Sequence, residues 1–301
     1  MLKNAIPFLL VLVGGLWLYD SYVYRKAMSR KEDNEFGKIN RVMAHELDAQ
    51  VTIWGPSTAW VNFDADLIEQ KTMLSCFNMG LNGTSFYQYK PILSEFLSYT
   101  KQPKYIVFAV FPYEFGTEKG FYELYKFKHH NANAGVRSMI SEVQPVYGFK
   151  IGQVPFYRLT AYDKQFYQAV FYPENTKSDR LGFAPQDRTG FNDLDVPGPI
   201  SIDSTSFAQF KAVLETIRAK GITPIVVIPP FEKTGQSQIS NLSYFEKTIT
   251  DLKAQQVKVM NFLYHPICAD KHMFYNISHL NAKGAHQFSN AFADSLKVMI
   301  K

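Results

Sequence analysis

Lys104-Tyr105-Ile106-Val107-Phe108-Ala109-Val110-Phe111 is apolar at nearly every position and shows no period-2 alternation. A strand with one wet face alternates polar and apolar residues, whereas a strand covered on both faces does not. The run therefore reads as a central strand of a parallel sheet. Upstream, residues 51–54 (Val-Thr-Ile-Trp) form a strand ending at the Gly55-Pro56 turn, residues 75–79 a second strand, and residues 87–99 a helix. Downstream, residues 206–220 read as a helix closed by Gly221, and 222–228 as a buried strand stopped by Pro229-Pro230. Residues 244–256 are helical, 257–263 a strand and 281–300 a closing helix. Such alternation predicts an α/β fold, a three-layer doubly wound parallel sheet with helices on both faces. In these sheets ligands bind beyond the carboxyl ends of the strands.

Composition limits the alternatives. The chain has 301 residues, 46% hydrophobic and 20% charged, ample for a core and unlike a disordered chain or a disulfide scaffold. Its net charge is +5, but residues 1–31 hold five basic side chains against Asp20, leaving +1 for the rest. The basic balance belongs to a membrane flank, and no nucleic-acid partner is expected. Residues 5–19 are an uncharged run of 15, with Trp17, Tyr19, Tyr22 and Tyr24 placed for an interface. Leu18, Tyr19 and Asp20 stand where a cleavage site needs small residues, and no lipid-accepting Cys follows. The expectation is a signal anchor over 1–24, a juxtamembrane linker and helix over 25–47, and an α/β domain over 48–301. Lys3 favours a cytoplasmic N-terminus while Arg25, Lys26, Arg30 and Lys31 pull the other way; charge alone would put the body inside, and the side of the membrane has to come from function.

An insertion of about residues 112–202 interrupts the alternation and is too long for a simple connection. Residues 111–193 carry 18 aromatics in 83 positions, enriched over the 15% of the whole chain. Its charges balance, so it is no electrostatic funnel. Two readings stand: a lid or subdomain whose rings meet sugar or lipid, or rings that pack the insertion onto the sheet.

The chemistry lies in three loops, each at a predicted carboxyl edge. Gly55-Pro56-Ser57-Thr58-Ala59 follows the first strand and holds a Ser at a strand-to-helix turn. Asn78-Met79-Gly80-Leu81-Asn82-Gly83 follows the second, with glycines that let backbone N–H groups face a ligand. Asn276-Ile277-Ser278-His279-Leu280-Asn281 precedes the closing helix. A Ser after Gly-Pro is ordinarily a turn, and a single His ordinarily structural. The order and placement of all three carry the reading.

On these blocks and the alternation, residues 48–301 resemble the SGNH (GDSL-like) hydrolase superfamily, in its membrane-anchored branch that moves acyl groups on cell-surface polymers. The resemblance implies a catalytic nucleophile at Ser57, an oxyanion-hole donor at Gly80 and a base at His279. It also implies an acyltransferase or esterase, a polysaccharide or related polymer as partner, and a body on the external or periplasmic face. An acyl donor delivered by a membrane partner protein is part of the same expectation, with no cofactor. Two positions depart from the pattern. The block after the third strand, Phe111-Pro112-Tyr113-Glu114-Phe115, lacks the oxyanion Asn, for which Asn82 is a substitute donor. The triad Asp is Asn276, whose carbonyl can accept the His Nδ1–H but lends no charge to an imidazolium. Asp270 is the other carboxylate near enough in sequence to serve.

Competing readings remain at this stage. His265, Cys268, Asp270, His272 and His279 have zinc-ligand side chains, although their spacing matches no zinc signature and the preferred reading contains no metal. A non-catalytic SGNH-like partner of a polymer-modifying or export complex predicts an unreactive Ser57, and an anchored, purely structural domain leaves the three blocks as coincidence. His129-His130 is a polar patch or an anion contact. The Asn-x-Ser/Thr triplets at Asn82, Asn241 and Asn276 are short enough to arise by chance. Cys76 and Cys268 are either a disulfide or two buried thiols.

Overall fold

In a computed structural model, residues 2–116, 124–160, 180–188, 190–191 and 199–300 are described. Five strands, β1 (Val51–Trp54), β2 (Cys76–Asn78), β3 (Tyr105–Ala109), β4 (Thr223–Ile228) and β5 (Lys258–Asn261), form one sheet ordered β2-β1-β3-β4-β5. Every pairing is parallel, with Ile53 beside Val107 and Val107 beside Ile225. This is the flavodoxin-like doubly wound order, whose switch point lies between β1 and β3.

β3 lies centrally, and both its faces are dry. Trp54, Ile106, Phe108, Val226 and Ile228 enter one core. It is closed by α2 (Glu35–Met43), α5 (Phe86–Tyr99), α6 (Ala134–Val143), α7 (Ser204–Ala219) and α8 (Leu242–Thr250). Ile53, Val107, Ala109, Ile225 and Val227 enter the other, closed by α3 (Ser57–Asn62), α4 (Ala65–Thr72) and α9 (Ala282–Ile300). Burying a large apolar side chain completely contributes about 1.5–3 kcal/mol, so two such cores account for the apolar run at β3. Phe63 ties the end of α3 to α9 by edge-to-face contacts with Phe288 and Phe292, at 4.9 and 5.2 Å.

Element ends follow local chemistry. The strand expected over 104–111 stops at Ala109; Val110 N–H still donates to Val227 O, but Phe111 N–H turns to Glu114 Oε2. Asp203 accepts from Ser206 N–H and starts α7 two residues earlier than expected. The helix expected over 244–256 ends at Thr250, and a 3₁₀ turn completes it.

The described part of the insertion supplies Phe115, Phe127 and Met139 to the α5 side and Phe183 to the α9 side, which is packing onto the sheet. The aromatics expected at 162–172 lie outside the described residues. At the N-terminus, α1 (Leu2–Leu18) runs through a π-helical turn, Tyr19–Tyr24, into Arg25–Met28. Ala5–Met28 is long and apolar enough to cross a membrane, and Phe8, Leu10 and Val11 stand exposed on it. A bare apolar helix suits lipid, as an anchor or a signal sequence. Asp20 is paired with Arg25 Nε at 3.1 Å.

Candidate active site

Ser57 is the first residue of α3, immediately beyond β1. Gly55 makes that placement possible: its φ is +150°, and a Cβ there would lie 2.5 Å from Ala109 O. The strand end thus packs directly on β3, and the chain turns upward into α3. His279 arrives from the loop before α9, 222 residues later, and its Nε2 is 2.7 Å from Ser57 Oγ.

The other side of the imidazole is set by Asn276. Its Oδ1 accepts the backbone N–H of Ser278 at 3.1 Å and of His279 at 2.9 Å. Two backbone donors converging on one oxygen orient the amide, so its carbonyl rather than its NH₂ faces the ring. His279 Nδ1, 2.8 Å away, therefore donates to Asn276 Oδ1, and Nε2 is left to accept from Ser57. Ser278 Oγ lies 3.1 Å from the same Nδ1. Tyr275 stacks on His279 with ring centroids 5.3 Å apart and planes at 19°. Burial, and after it the charge of Arg188, lowers His279 from 6.5 to about 4. An imidazole so placed is neutral near pH 7, the form that can take a proton, but among the described residues no carboxylate stands beside its cation.

Two asparagines whose role sequence did not show brace this corner. Asn62, fully buried at the end of α3, donates to Ser278 O at 3.1 Å and accepts Leu280 N–H at 2.9 Å. It locks the helix that bears Ser57 to the loop that bears His279. Asn78 donates to Ala59 O and Phe63 O, each at 2.8 Å, and accepts Gly80 N–H at 2.8 Å.

That last bond differs from the expectation for Gly80. The residue packs against α3, where a Cβ would lie 2.2 Å from Trp60 N, but its N–H is spent on Asn78. The N–H groups of Ser57 and Thr58 lie in the first turn of α3 and so have no acceptor within the helix. Asn82 is held through its main chain: its N–H donates to Glu35 Oε1 and its carbonyl accepts from Lys126 Nζ, both at 2.5 Å. Glu114 occupies the loop where the resemblance wanted an Asn. It accepts from Tyr89 Oη at 2.6 Å, and burial raises it to about 8.

Asp270 does not reach His279; it accepts His272 N–H at 3.0 Å and caps a short turn. His265 Nδ1 accepts Ile267 N–H, and Cys268 Sγ donates to Phe262 O. No group of three His, Cys, Asp or Glu side chains among the described residues is arranged to hold a metal. Cys76 and Cys268 are free buried thiols, and burial raises both. His129 and His130 each place Nε2 on Asn40 Oδ1, at 3.0 and 2.8 Å, beneath the end of the N-terminal helix.

Fold and site together define a doubly wound α/β protein with a Ser–His–Asn relay at the carboxyl edge of its sheet. Solved structures similar to this chain include a protein described as lipolytic and of the G-D-S-L family, from Desulfitobacterium hafniense DCB-2. It is 12% identical with a TM-score of 0.41, covering 81% of this chain and 98% of its own. A second, described as a platelet activating factor from Streptococcus pneumonia, is 10% identical with a TM-score of 0.46 and coverages of 96% and 98%. A third, described as an acylhydrolase from Bacteroides fragilis NCTC 9343, is 10% identical with a TM-score of 0.40 and coverages of 94% and 97%. No protein-family model and no curated protein matches the chain.

Proposed function

We propose that the chain is an SGNH-type serine acyl-transfer enzyme, held at a membrane by its N-terminal helix. The observation that carries this is the continuous relay Ser57 Oγ–His279–Asn276, with 2.7 and 2.8 Å steps and a fixed tautomer. Ser57 Oγ attacks the carbonyl carbon of an acyl ester while His279 Nε2 takes its proton. The tetrahedral oxyanion forms beside the Ser57 and Thr58 N–H groups; a well-placed donor there is worth about 3–4 kcal/mol. Collapse expels the alcohol, which leaves with the proton from His279, and the acyl group stays as an ester on Ser57. An acceptor hydroxyl, or water, then repeats the sequence and frees Ser57. The acceptor, a cell-surface polysaccharide or related polymer, rests on the family resemblance, as does a body on the external or periplasmic face.

A second reading has its own support. With Asn276 in place of a carboxylate and the Gly80 donor spent, the chain is instead a non-catalytic SGNH-like partner in a polymer-modifying or export complex. Labelling of the full chain in detergent with a fluorophosphonate separates the two. The enzyme gives one adduct, seen by intact mass, that disappears in Ser57→Ala and His279→Ala. Folded protein that takes no adduct favours the non-catalytic reading.

A further inference from the structure

Arg188 stands beside the relay and has no part in it. The segment bearing it crosses the site as a strap pinned at four points. Leu181 N–H donates to Asp33 Oδ2 and Leu181 O accepts Asn78 N–H, both at 2.9 Å. Ala184 N–H donates to Trp60 O at 3.2 Å, and Gln186 O accepts Ala282 N–H at 2.9 Å. Gly182, at φ +83°, passes so close to β2 that a Cβ would lie 2.0 Å from Asn78 O. Two residues beyond the last pin, Arg188 Cζ sits 5.3 Å from the centroid of the Tyr275 ring. Tyr275 stacks in turn on His279.

Arg188 is exposed, and no carboxylate among the described residues pairs with it. Arg180, on the same strap, is paired with Asp66 at 2.9 Å, and Arg41 with Asp33 at 2.8 Å. A guanidinium is a fork of donors matched to carboxylate and phosphate oxygens. Here it is held over an aromatic platform one ring away from the base.

We propose that Arg188 binds an anionic group, a carboxylate or a phosphate, on the substrate, and that this anion supplies the negative charge the Ser–His–Asn relay lacks. Resting on the acyl-transfer reading of Ser57, this names the substrate class. Unoccupied, the Arg188 cation opposes protonation of His279, and Asn276 offers no compensating charge. An anion paired to Arg188 cancels that field at the moment the imidazolium forms. The substrate's own charge thereby selects it.

The test uses acetyl esters that differ in charge on the leaving group: 3- and 4-acetoxybenzoate, 4-acetoxyphenyl phosphate, and methyl 4-acetoxybenzoate as the neutral reference. The full chain in detergent is expected to favour an anionic ester by about tenfold in kcat/KM, the low end for a hydrogen bond to a charged group. Arg188→Gln is expected to lose that preference by slowing the anionic ester while leaving the neutral one as fast or faster; Arg188→Lys retains part of it. Opposite movements on two substrates cannot come from misfolding. Equal slowing of both esters, or no charge preference in the wild type, overturns the proposal. Should neither ester turn over, the His279 Cε1 NMR signal during benzoate and inorganic phosphate additions decides. A saturable shift with either anion, lost in Arg188→Gln, supports anion binding and shows which anion fits; no shift overturns it. Hydrolysis that survives Ser57→Ala refutes the acyl-Ser57 reading separately.

Discussion

Two part-buried histidine–asparagine pairings in this molecule can be compared, and they differ in what the imidazole is set against. At the carboxyl edge of the sheet, Asn276 Oδ1 accepts His279 Nδ1–H, and the opposite nitrogen faces Ser57 Oγ. Beneath the N-terminal helix, Asn40 Oδ1 serves His129 and His130 through their Nε2 atoms, while its Nδ2 donates to Met28 O and Arg30 O. Burial lowers His279 and His130 alike to about 4. A shifted pKa therefore does not distinguish the sites. The difference lies in what the second ring nitrogen meets, and in Asn40 acting as a clasp between the N-terminal helix and the body.

The sharpest way to break this comparison is Ser57→Ala, expected to lower esterase activity by about 10³-fold or more, as when a serine nucleophile is removed. Asn40→Ala is expected to leave the same rate unchanged; a matching loss there removes the distinction. The next effect is at Asn276. Asn276→Ala frees the imidazole tautomer and is expected to lower kcat/KM by about 10²-fold, within the range for misplaced acid–base groups. Asn276→Asp adds the missing charge, and a gain of about tenfold is expected, equivalent to one pKa unit of imidazolium stabilisation. Its signature is an upward movement of His279 in an NMR titration, while His130 stays put.

Stability gives the smaller effects. Asn40→Ala strips one acceptor from two histidines and one donor group from two carbonyls, and a loss of about 2–3 kcal/mol is expected in chemical denaturation. Fluorophosphonate labelling should not change. The pH dependence of stability rests on His279 and His130. Both histidines hold fewer protons folded than unfolded between 6.5 and about 4. Stability therefore rises with pH through that window, and is lost as the pH falls through it. The denaturation midpoint is expected to drop from pH 6.5 toward pH 4, and His130→Gln to flatten part of the slope. If the acyl-transfer reading holds, activity through neutral His279 is expected down to about pH 4, and Asn276→Asp is expected to move that limit upward.

Much of the fold was legible because a doubly wound sheet writes itself locally. The residues at 105–109 are apolar on both faces because both are covered, and Gly221 and Pro229-Pro230 mark the ends of their elements. Ser57 and His279 were legible from their loops, since a Ser after Gly-Pro and a His before a closing helix fall at strand ends. Other residues were silent. Asn62 reads as an ordinary polar helix residue, and only the meeting of α3 with a loop over 200 residues away makes it a clasp. Lys126 is fully buried against Glu35, a pairing that no local pattern marks. Gly80 was recognised as necessary, but the close approach to Trp60 explains it, and its N–H goes elsewhere.

Sequence by itself determined the parallel α/β architecture, the apolar N-terminal helix and the loops that bear Ser57 and His279, because periodicity and turn chemistry act over a few residues. Tertiary structure alone decided that Asn276 presents its carbonyl, that Asp270 stands aside and that Arg188 lies one aromatic ring from His279. Those facts depend on which hydrogen-bond partners distant segments bring together, and no local pattern encodes them.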